Sequence, residues 1–346
     1  MTNSKIKMGF IGAGNIVSTR HIPAFKTSSL CELYGVIDIN IDKAKNISKQ
    51  YNILHFGKSL DEKWFEGVDA VSIGVPPHFH YTMAKQALDI GKHVLLEKPM
   101  CTQVEEAEEL VSLSRKKNRT LAIVHNFQFA SSARKLIDII KLGKIGKIQN
   151  ILGFQISNSS RRLPEWHEEL PFGLLYDEIP HFLYLLRRFG GELEVMQANY
   201  IPSTIGKNTP AIITVDLMSE ICPCSIYINF ESPVCEWFLI IFGEKKLGII
   251  DIFRDILITL PNDGEHQAYE VLRTSFLTGW MHFRGTLISG IKRCIGKLLY
   301  GNEIIVNRFI ESINSSTQPE SISGEDGLSI LRTQHNVLAL LRKSDS

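Results

Sequence analysis

The stretch KMGFIGAGNIV, residues 7–17, decides the fold predicted for this chain, because a short apolar run passes directly into a glycine-rich turn. The run is typical of a buried strand, and the residues after the turn fit the start of a helix. In such a unit, Gly12 permits the tight turn and Gly14 lets the backbone approach a pyrophosphate. Asn15 and Ile16 then lie at the helix amino terminus, where free N–H groups favour phosphate oxygens. The stretch therefore predicts a dinucleotide-binding turn.

The residues that follow, up to about 125, repeat the pattern of an apolar run followed by a helical segment. The further runs end at Asp38, at Pro76, at Glu97 and near residue 124. Alternating strands and helices are typical of βαβ units, which build a parallel sheet. We therefore expect a Rossmann domain, with a doubly wound parallel sheet, over residues 1–125. Ligands of such sheets bind beyond the carboxyl ends of the strands, which is where these residues are predicted to lie.

Asp38 indicates which dinucleotide the turn would bind. It follows the second predicted strand, where a carboxylate binds the ribose hydroxyls of the adenosine half. A carboxylate repels a 2′-phosphate, and no Arg or Lys occurs within four residues after Asp38. NAD is therefore favoured over NADP as the cofactor. Two points stand against this interpretation: Val17 occupies the position of the usual third glycine, and a strand-end cap is the alternative role for Asp38.

Residues 126–346 show a different pattern, in which strand-like segments follow one another with few helices between them. The segments lie between residues 148 and 253, and one helix interrupts them at about 175–189. Consecutive strands favour antiparallel pairing. We expect a second domain of the α+β class over residues 126–346, with a large, mostly antiparallel sheet and a C-terminal helix at about 326–342.

Several motifs occur in order along the chain. GAG at 12–14, HIPA at 21–24, PPHFH at 76–80 and EKP at 97–99 are followed by GLLYDEIPH at 173–181. In content and order they resemble the motifs of the glucose–fructose oxidoreductase / inositol dehydrogenase / MocA (Gfo/Idh/MocA) family, in which EKP is the most recognisable. The resemblance implies an NAD- or NADP-dependent oxidoreductase that transfers hydride at a secondary hydroxyl or ketone of a sugar, cyclitol or nucleotide sugar.

The resemblance also implies roles for single residues and for the second domain. Pro76, His80, Glu97 and Lys98 are expected beside the cofactor. The second domain is expected to bind the small-molecule substrate and to form contacts between subunits.

Lys98, Asp177 and His181 are the predicted catalytic residues. Pro99 holds Lys98 extended at the strand end, where an ammonium group can stabilise developing alkoxide charge. Asp177 and His181 are four residues apart and share one face of a helix, and a histidine suits removal of the hydroxyl proton. Because Pro180 cannot donate a backbone hydrogen bond, one alternative is that the helix starts just before it and Asp177 is only its N-cap.

Weaker signals point to substrate contacts. Asn126 begins a segment, NFQF, where the family often has a basic residue. Arg161 and Arg162 stand side by side, and paired arginines can grip phosphate or carboxylate; Trp166 follows in the same predicted loop. A solvated loop is the alternative for that segment. Residues 279–284, GWMHFR, receive no assignment.

Composition excludes several classes of protein. Lys plus Arg (38) nearly equals Asp plus Glu (37), whereas a dedicated nucleic-acid binder usually has a clear basic excess. No apolar stretch reaches the roughly 18 residues needed to span a bilayer. The cysteines are scattered, and the Cys222-Pro223-Cys224 pair has the wrong spacing for a zinc knuckle. We expect a cytoplasmic protein with reduced cysteines, no bound metal, no nucleic-acid partner and no membrane partner.

Two predicted strands suggest self-association. Ile212–Met218 and Ser225–Phe230 carry apolar residues on more than one face, and a monomer would expose them as a large patch. We therefore expect a homodimer or a homotetramer.

The sequence leaves two other functions open on the same fold. Tightly held NAD, oxidising the substrate only transiently, would give an epimerase, a lyase or a glycosidase. A non-catalytic regulator that senses the dinucleotide would need neither Lys98 nor His181, and their presence argues against it.

Overall fold

The computed structural model of this chain describes residues 5–161 and 163–343. Within these ranges the strands and helices follow each other in two groups. The strands are β1 (Ile6–Ile11), β2 (Cys31–Ile37), β3 (His55–Gly57), β4 (Ala70–Ile73), β5 (His93–Leu96), β6 (Leu121–Ile123), β7 (Ile148–Asn158), β8 (Leu193–Ile201), β9 (Ile212–Ser219), β10 (Pro223–Ser232), β11 (Glu236–Gly243), β12 (Lys246–Asp251) and β13 (Ile256–Pro261). The α-helices are α1 (Ile22–Lys26), α2 (Ile41–Tyr51), α3 (His80–Asp89), α4 (Val104–Lys116), α5 (Ser131–Lys141), α6 (Leu174–Gly190), α7 (Ala268–Cys294), α8 (Asn302–Ser315) and α9 (Gly324–Lys343).

The backbone divides into two compact units. Among the described residues, the first contains 5–126 together with Gly301–Arg332, and the second contains 127–161, 163–300 and 333–343. The division predicted from sequence put all of 126–346 into one domain. In the structure Gly301–Arg332 instead pack with the first unit, because the Ile123 N–H at the sheet edge donates to the Ile322 carbonyl at 2.7 Å.

The first unit contains a six-stranded parallel sheet in the order β3-β2-β1-β4-β5-β6. This is the doubly wound Rossmann order, so the predicted fold is confirmed. The chain leaves β1 toward β2 on one side and later returns to β4 on the other. Ligands of such sheets bind in the crevice where the strand order reverses, which here is at the carboxyl ends of β1 and β4.

The second unit contains a seven-stranded sheet in the order β13-β12-β11-β7-β10-β9-β8. Only β7 and β10 pair in parallel, and the other neighbours are antiparallel. The predicted α+β class with a mostly antiparallel sheet is therefore confirmed. Helix α6 packs on one face of this sheet, over β7, β8 and β9. Gly153 in β7 permits the close approach, because a Cβ there would lie 2.5 Å from the Phe182 ring.

Three elements were not predicted from the sequence. The first is β3, which has only three residues. The second is β13, which lies after residue 253, where the last predicted strand ended. The third is α7, a helix of 27 residues that includes the unassigned residues 279–284 and packs beside β13. Most of its large apolar side chains are exposed, and only Leu277 and Met281 among them are half-buried, so the sequence shows no ordinary core-facing stripe.

Candidate active site

The turn after β1 has the geometry that a bound pyrophosphate requires. Gly12 has a φ of +97°, and a Cβ on it would lie 2.6 Å from the Gly74 carbonyl oxygen, so no other residue fits there. A Cβ on Gly14 would meet nothing within 4 Å, and the turn is open at this point. The helix starts at Asn15, and Ser18 N–H donates to the Gly14 carbonyl. An open turn at a helix amino terminus fits a pyrophosphate.

The missing third glycine has a structural substitute. Val17 is fully buried in a π-helical turn, Val17–His21, that continues into α1. A Cβ on Gly74, at the end of β4, would lie 2.6 Å from Val17 Cγ2. The space that a third glycine normally leaves between helix and strand is here provided by Gly74. Ile16, beside Val17, is exposed at the start of the helix.

The structure brings Asp38 to the glycine turn. Its Oδ2 accepts a hydrogen bond of 2.7 Å from the Ala13 N–H, and its Oδ1 accepts one of 2.8 Å from the Asn40 N–H. Each carboxylate oxygen has a further lone pair. The position fits a ribose-binding carboxylate as well as a strand-end cap, so the choice between NAD and NADP stays a proposal.

Glu97 is held by a buried network that the sequence analysis did not assign. His21 Nε2 lies 2.7 Å from Glu97 Oε1, and His21 Nδ1 lies 2.8 Å from Ser72 Oγ. The second carboxylate oxygen of Glu97 accepts from the Lys98 N–H at 3.1 Å. His21 is 2% exposed. The histidine of the HIPA motif was the available signal, since a buried histidine needs polar partners.

His80 joins the ends of two strands. Its Nδ1 lies 2.7 Å from the Pro99 carbonyl oxygen and its Nε2 lies 2.9 Å from the Val75 carbonyl oxygen. Both ring nitrogens therefore contact backbone next to Pro76 and Lys98. His80 thereby holds together the segments that follow β4 and β5. Direct contact of His80 with a cofactor stays a prediction.

In the second unit, the position at which α6 begins excludes one of the two roles considered for Asp177, that of a helix N-cap. The helix begins at Leu174, whose N–H donates to Thr209 Oγ1 at 2.9 Å, and Glu168 accepts from Thr209 in turn. Asp177 is the fourth residue of the helix. The alternative that Asp177 is the N-cap before Pro180 is therefore wrong, because Thr209, far away in sequence, supplies the cap.

Helix α6 runs through Pro180 to Gly190 without a break. A proline leaves the carbonyl four residues earlier without its helical partner, and here that carbonyl belongs to Tyr176. Gln334 Nε2 donates to the Tyr176 carbonyl at 2.7 Å. Gln334 is fully buried. A side chain from α9 thus replaces the hydrogen bond that Pro180 removes.

His181 is buried among aromatic rings. Its Nδ1 lies 2.7 Å from the Tyr184 hydroxyl oxygen, which also accepts from the Phe127 N–H at 3.2 Å. The rings of Phe127 and Trp237 lie with their centroids 4.8 Å and 5.2 Å from the imidazole. The imidazole is thereby fixed in orientation. Sequence reasoning did not identify Tyr184, three residues after His181, as this partner.

Asp177 and the predicted substrate loop come together. His167 Nε2 lies 3.4 Å from Asp177 Oδ2, and His167 Nδ1 lies 2.9 Å from the Pro164 carbonyl oxygen. Trp166 stacks on the His167 ring with centroids 3.8 Å apart. Sequence reasoning missed His167, although it stands next to Trp166.

Arg161 has an acidic partner. It pairs with Glu178, a buried side chain of α6 that also accepts from Gln155, and it donates to Ser157 Oγ at 3.2 Å. Glu178 thus competes with any anionic substrate group for this guanidinium. Arg162 lies outside the described residues. Asn126 is half-buried at the end of the first unit's long segment.

Residues 5–161 and 163–343 contain neither a cluster of metal-binding side chains nor a helix that could span a membrane. No group of three His, Cys, Asp or Glu side chains in these ranges is arranged to hold a metal ion. Burial raises the pKa of Cys224 to about 12, so this thiol stays protonated, whereas metal-binding cysteines are thiolates. No described helix has both the length and the apolar character to cross a bilayer.

Comparison with known proteins identifies the first unit. A family model described as "Oxidoreductase family, NAD-binding Rossmann fold" matches residues 6–125. Residues 6–125 thus match the Gfo/Idh/MocA oxidoreductase family. The matched range ends at residue 125, one residue short of the end of the first unit's long segment at Asn126, and it includes the turn after β1, Asp38 and Lys98.

Curated relatives within this family match about half of the chain or less. It is 33% identical over 153 residues to an uncharacterized oxidoreductase of Synechocystis, covering 44% of this chain and 41% of that protein. It is 30% identical over 149 residues (43% and 42%) to the D-glucoside 3-dehydrogenase of Escherichia coli. It is 31% identical over 150 residues (42% and 44%) to the dTDP-3,4-didehydro-2,6-dideoxy-alpha-D-glucose 3-reductase of Actinomadura kijaniata. The matches thus span less than half the length of these relatives.

Solved structures extend the likeness to both units as a fold. Levoglucosan dehydrogenase in complex with NADH has a TM-score of 0.78 at 16% identity, covering 98% of each chain. The WlbA dehydrogenase of Bordetella pertussis, in complex with NADH and UDP-GlcNAcA, has a TM-score of 0.77 at 18% identity, covering 99% of this chain and 97% of that one.

Proposed function

We propose that the protein is an NAD-dependent dehydrogenase or reductase acting on a secondary hydroxyl or ketone of a sugar, cyclitol or nucleotide sugar. One observation carries the proposal: the second unit holds a buried imidazole, His181, in a fixed orientation through Tyr184. A protein that only senses a dinucleotide does not need an oriented imidazole. An enzyme that removes a hydroxyl proton does.

The residues of the first unit fit NAD. The open turn at Gly14 and the helix start at Asn15 would hold the pyrophosphate, and Asp38 would bind the adenosine ribose. Bound nicotinamide would supply or accept the hydride. Glu97, fixed by His21, keeps the strand end that carries Lys98 in place.

Lys98 and His181 divide the remaining chemistry. The Lys98 ammonium stabilises negative charge on the reacting oxygen, and His181 takes the hydroxyl proton on oxidation and returns it on reduction. Tyr184 Oη has two lone pairs: one accepts from the Phe127 N–H, and the other can accept from an Nδ1–H of His181. That tautomer leaves Nε2 unprotonated and able to act as the base. Asp177, which is not a helix cap, orients substrate hydroxyls.

The names of the relatives suggest which hydroxyl to test first. The D-glucoside enzyme is a 3-dehydrogenase and the dTDP-sugar enzyme is a 3-reductase. We therefore propose position 3 of a hexose ring as the reacting carbon.

The setting of the reaction is also proposed. The described cysteines are all free, in keeping with a reducing cytoplasm. A homodimer or homotetramer remains the expected assembly. The side chains of β9 and β10 that do not face the core are more polar than expected; they include Thr214, Asp216 and Asn229. These two strands therefore do not by themselves account for the expected self-association.

The test is a turnover screen with NAD and NADP over glucosides, sugar phosphates, cyclitols and nucleotide sugars, in both directions. Substrate-dependent formation or consumption of NADH supports the proposal. Copurified NAD that supports epimerisation or cleavage without net NADH would establish the transient-oxidation alternative instead. Tight dinucleotide binding without turnover on any substrate class would contradict the proposal and favour a sensor.

A further inference from the structure

Helix α7 is oriented in an unusual way on its domain. The residues that face the sheet or lie half-buried are mostly small or polar: they include Thr274, Thr278, Gly285 and Ser289, together with the half-buried Leu277 and Met281. Gly285 fits against Ile256 of β13, where a Cβ would lie 2.5 Å from the isoleucine side chain. The helix is thus fixed to its own unit by a face on which Leu277 and Met281 are only half-buried and Ser289 is the one buried residue.

The opposite face of α7 carries a continuous apolar stripe. Its members succeed each other at intervals of three or four residues, which places them on one side of a helix. Each exposes between 53% and 74% of its surface. The stripe consists of Tyr269, Leu272, Phe276, Trp280, Phe283, Leu287 and Ile291.

The size of this stripe matches a protein interface. Large side chains at such exposures offer together on the order of 800 Å². The largest apolar patch of a typical monomer is about 300–600 Å², and each partner in a standard stable complex buries about 800 Å². Trp and Phe are also the residue types that dominate binding energy at interface centres.

The pattern of the stripe is close to symmetric about Trp280. On the amino-terminal side its members stand 4, 8 and 11 residues from Trp280, and on the carboxyl-terminal side they stand 3, 7 and 11 residues away. A two-fold axis at Trp280 would therefore lay the stripe on a second stripe running antiparallel. Two-fold interfaces use one self-complementary patch on both subunits.

Charges at the two ends of α7 fit the same arrangement. Asp263, Glu265 and Glu270 lie before or within its first turn, whereas Lys292, Arg293 and Lys297 lie at or after its last turn. In an antiparallel pair each acidic end meets a basic end, and the helix dipoles also oppose each other favourably. A parallel arrangement would bring like charges together.

We propose that α7 is a self-association surface, and that its occupant is the α7 helix of a second copy of this chain, paired antiparallel about Trp280. This interface is distinct from any formed by the sheet of the second unit. It predicts a particular register, so that position 280 of one copy faces position 280 of the other.

Light scattering tests the assembly. We expect the double substitution Phe276→Glu/Phe283→Glu to halve the mass of the wild-type particle, whose subunit mass is 39.1 kDa. Both side chains are exposed, so the monomer fold should survive, as circular dichroism can verify. The matched control is Ser275→Glu/Thr286→Glu, two exposed positions off the stripe, which should leave the mass unchanged. A wild-type monomer at micromolar concentration, or equal masses for wild type and the stripe variant, would overturn the proposal.

Cross-linking tests the register. In a Cys294→Ser background, Trp280→Cys should form an intermolecular disulfide on mild oxidation, and Ser275→Cys should not. Equal cross-linking at both positions would contradict the two-fold at Trp280. A third measurement tests whether the stripe binds a membrane instead. Wild-type protein is sedimented with vesicles that contain anionic lipid. If it is monomeric and sediments with the vesicles, whereas the Phe276→Glu/Phe283→Glu variant does not, then the stripe is a membrane-binding surface and the self-association proposal is wrong.

Discussion

The turn after β1 and helix α6 both carry candidate site residues, but they are stabilised by interactions of different range in the sequence. The turn is made by neighbours in sequence: Gly12 provides the positive φ and Gly14 the open surface. Helix α6 depends on residues far away: Thr209 caps its start, and Gln334 takes the carbonyl that Pro180 frees. A site on a tight turn can therefore be predicted from a short sequence motif. A site on an irregular helix cannot, because its geometry depends on polar partners that are distant in the sequence.

The largest effect on turnover should come from removing the two groups proposed to act on the substrate, the Lys98 ammonium of the first unit and the His181 imidazole of helix α6. Lys98→Met and His181→Ala should each lower kcat by roughly 10²–10⁴-fold, the usual range for charge stabilisation and for proton transfer. NADH affinity should change little for His181→Ala, because that residue belongs to the second unit. Steady-state kinetics on the identified substrate and calorimetric titration measure both.

An exposed histidine of the same unit, His266, supplies the control: His266→Ala should keep wild-type turnover. If both Lys98→Met and His181→Ala retain turnover within about twofold of wild type, the catalytic assignment is wrong.

The next effect concerns the stability of α6. Gln334→Leu removes the hydrogen bond that Gln334 donates to the buried Tyr176 carbonyl, and this should lower the free energy of unfolding by about 1–3 kcal/mol. In a Pro180→Ala background, the restored N–H can bond that carbonyl within the helix. The cost of Gln334→Leu should therefore shrink there. Denaturant unfolding of the four proteins measures this coupling; an equal cost in both backgrounds would show that Gln334 does not compensate for Pro180.

A smaller effect concerns the cofactor preference set beside the glycine turn. NADH should bind at least ~10-fold more tightly than NADPH, a difference of about 1.4 kcal/mol, because Asp38 repels a 2′-phosphate. Asp38→Ser should narrow that ratio. Asp42→Ser, which removes an exposed acid from the first turn of α2, should leave the ratio unchanged. Tighter binding of NADPH than of NADH by the wild type would contradict the assignment.

The smallest effect on turnover should come from removing the hydrogen bond that orients the His181 imidazole, with the imidazole itself kept. Tyr184→Phe deletes the hydroxyl that His181 Nδ1 contacts, a hydrogen bond worth about 0.5–1.5 kcal/mol. We expect kcat to fall by roughly 2- to 10-fold, KM to change little, and the pH profile of kcat to shift because the tautomer is no longer held.

Tyr176→Phe is the matched control, since it removes a buried hydroxyl from the same helix that contacts His335 instead. It should affect stability without changing the pH profile. Equal kinetic effects of the two substitutions would assign Tyr184 a purely structural role.

Much of the first unit could be predicted from the sequence. Its strands are short apolar runs, its turn residues stand in one contiguous motif, and parallel strands place their carboxyl ends at a common edge. The substitution of Gly74 for the third glycine could not be predicted, because Val17 and Gly74 meet only through the pairing of β1 with β4.

The second unit was predicted in outline, with less detail at its site. Alternating apolar residues revealed most strands, but β13 and α7 were missed. In α7 the apolar stripe faces solvent, so its pattern carries no information about the core.

By itself the sequence determined the two fold classes, the dinucleotide turn and the choice of Lys98, Asp177 and His181 as the residues to test. Only the tertiary structure decided that Asp177 is not a cap, that Tyr184 and Phe127 orient His181, and that Glu178 engages Arg161. The physical reason is the range of the interactions. Turn geometry and apolar periodicity act between neighbours in sequence, whereas a buried polar group takes whichever partner the folded chain brings within hydrogen-bonding distance.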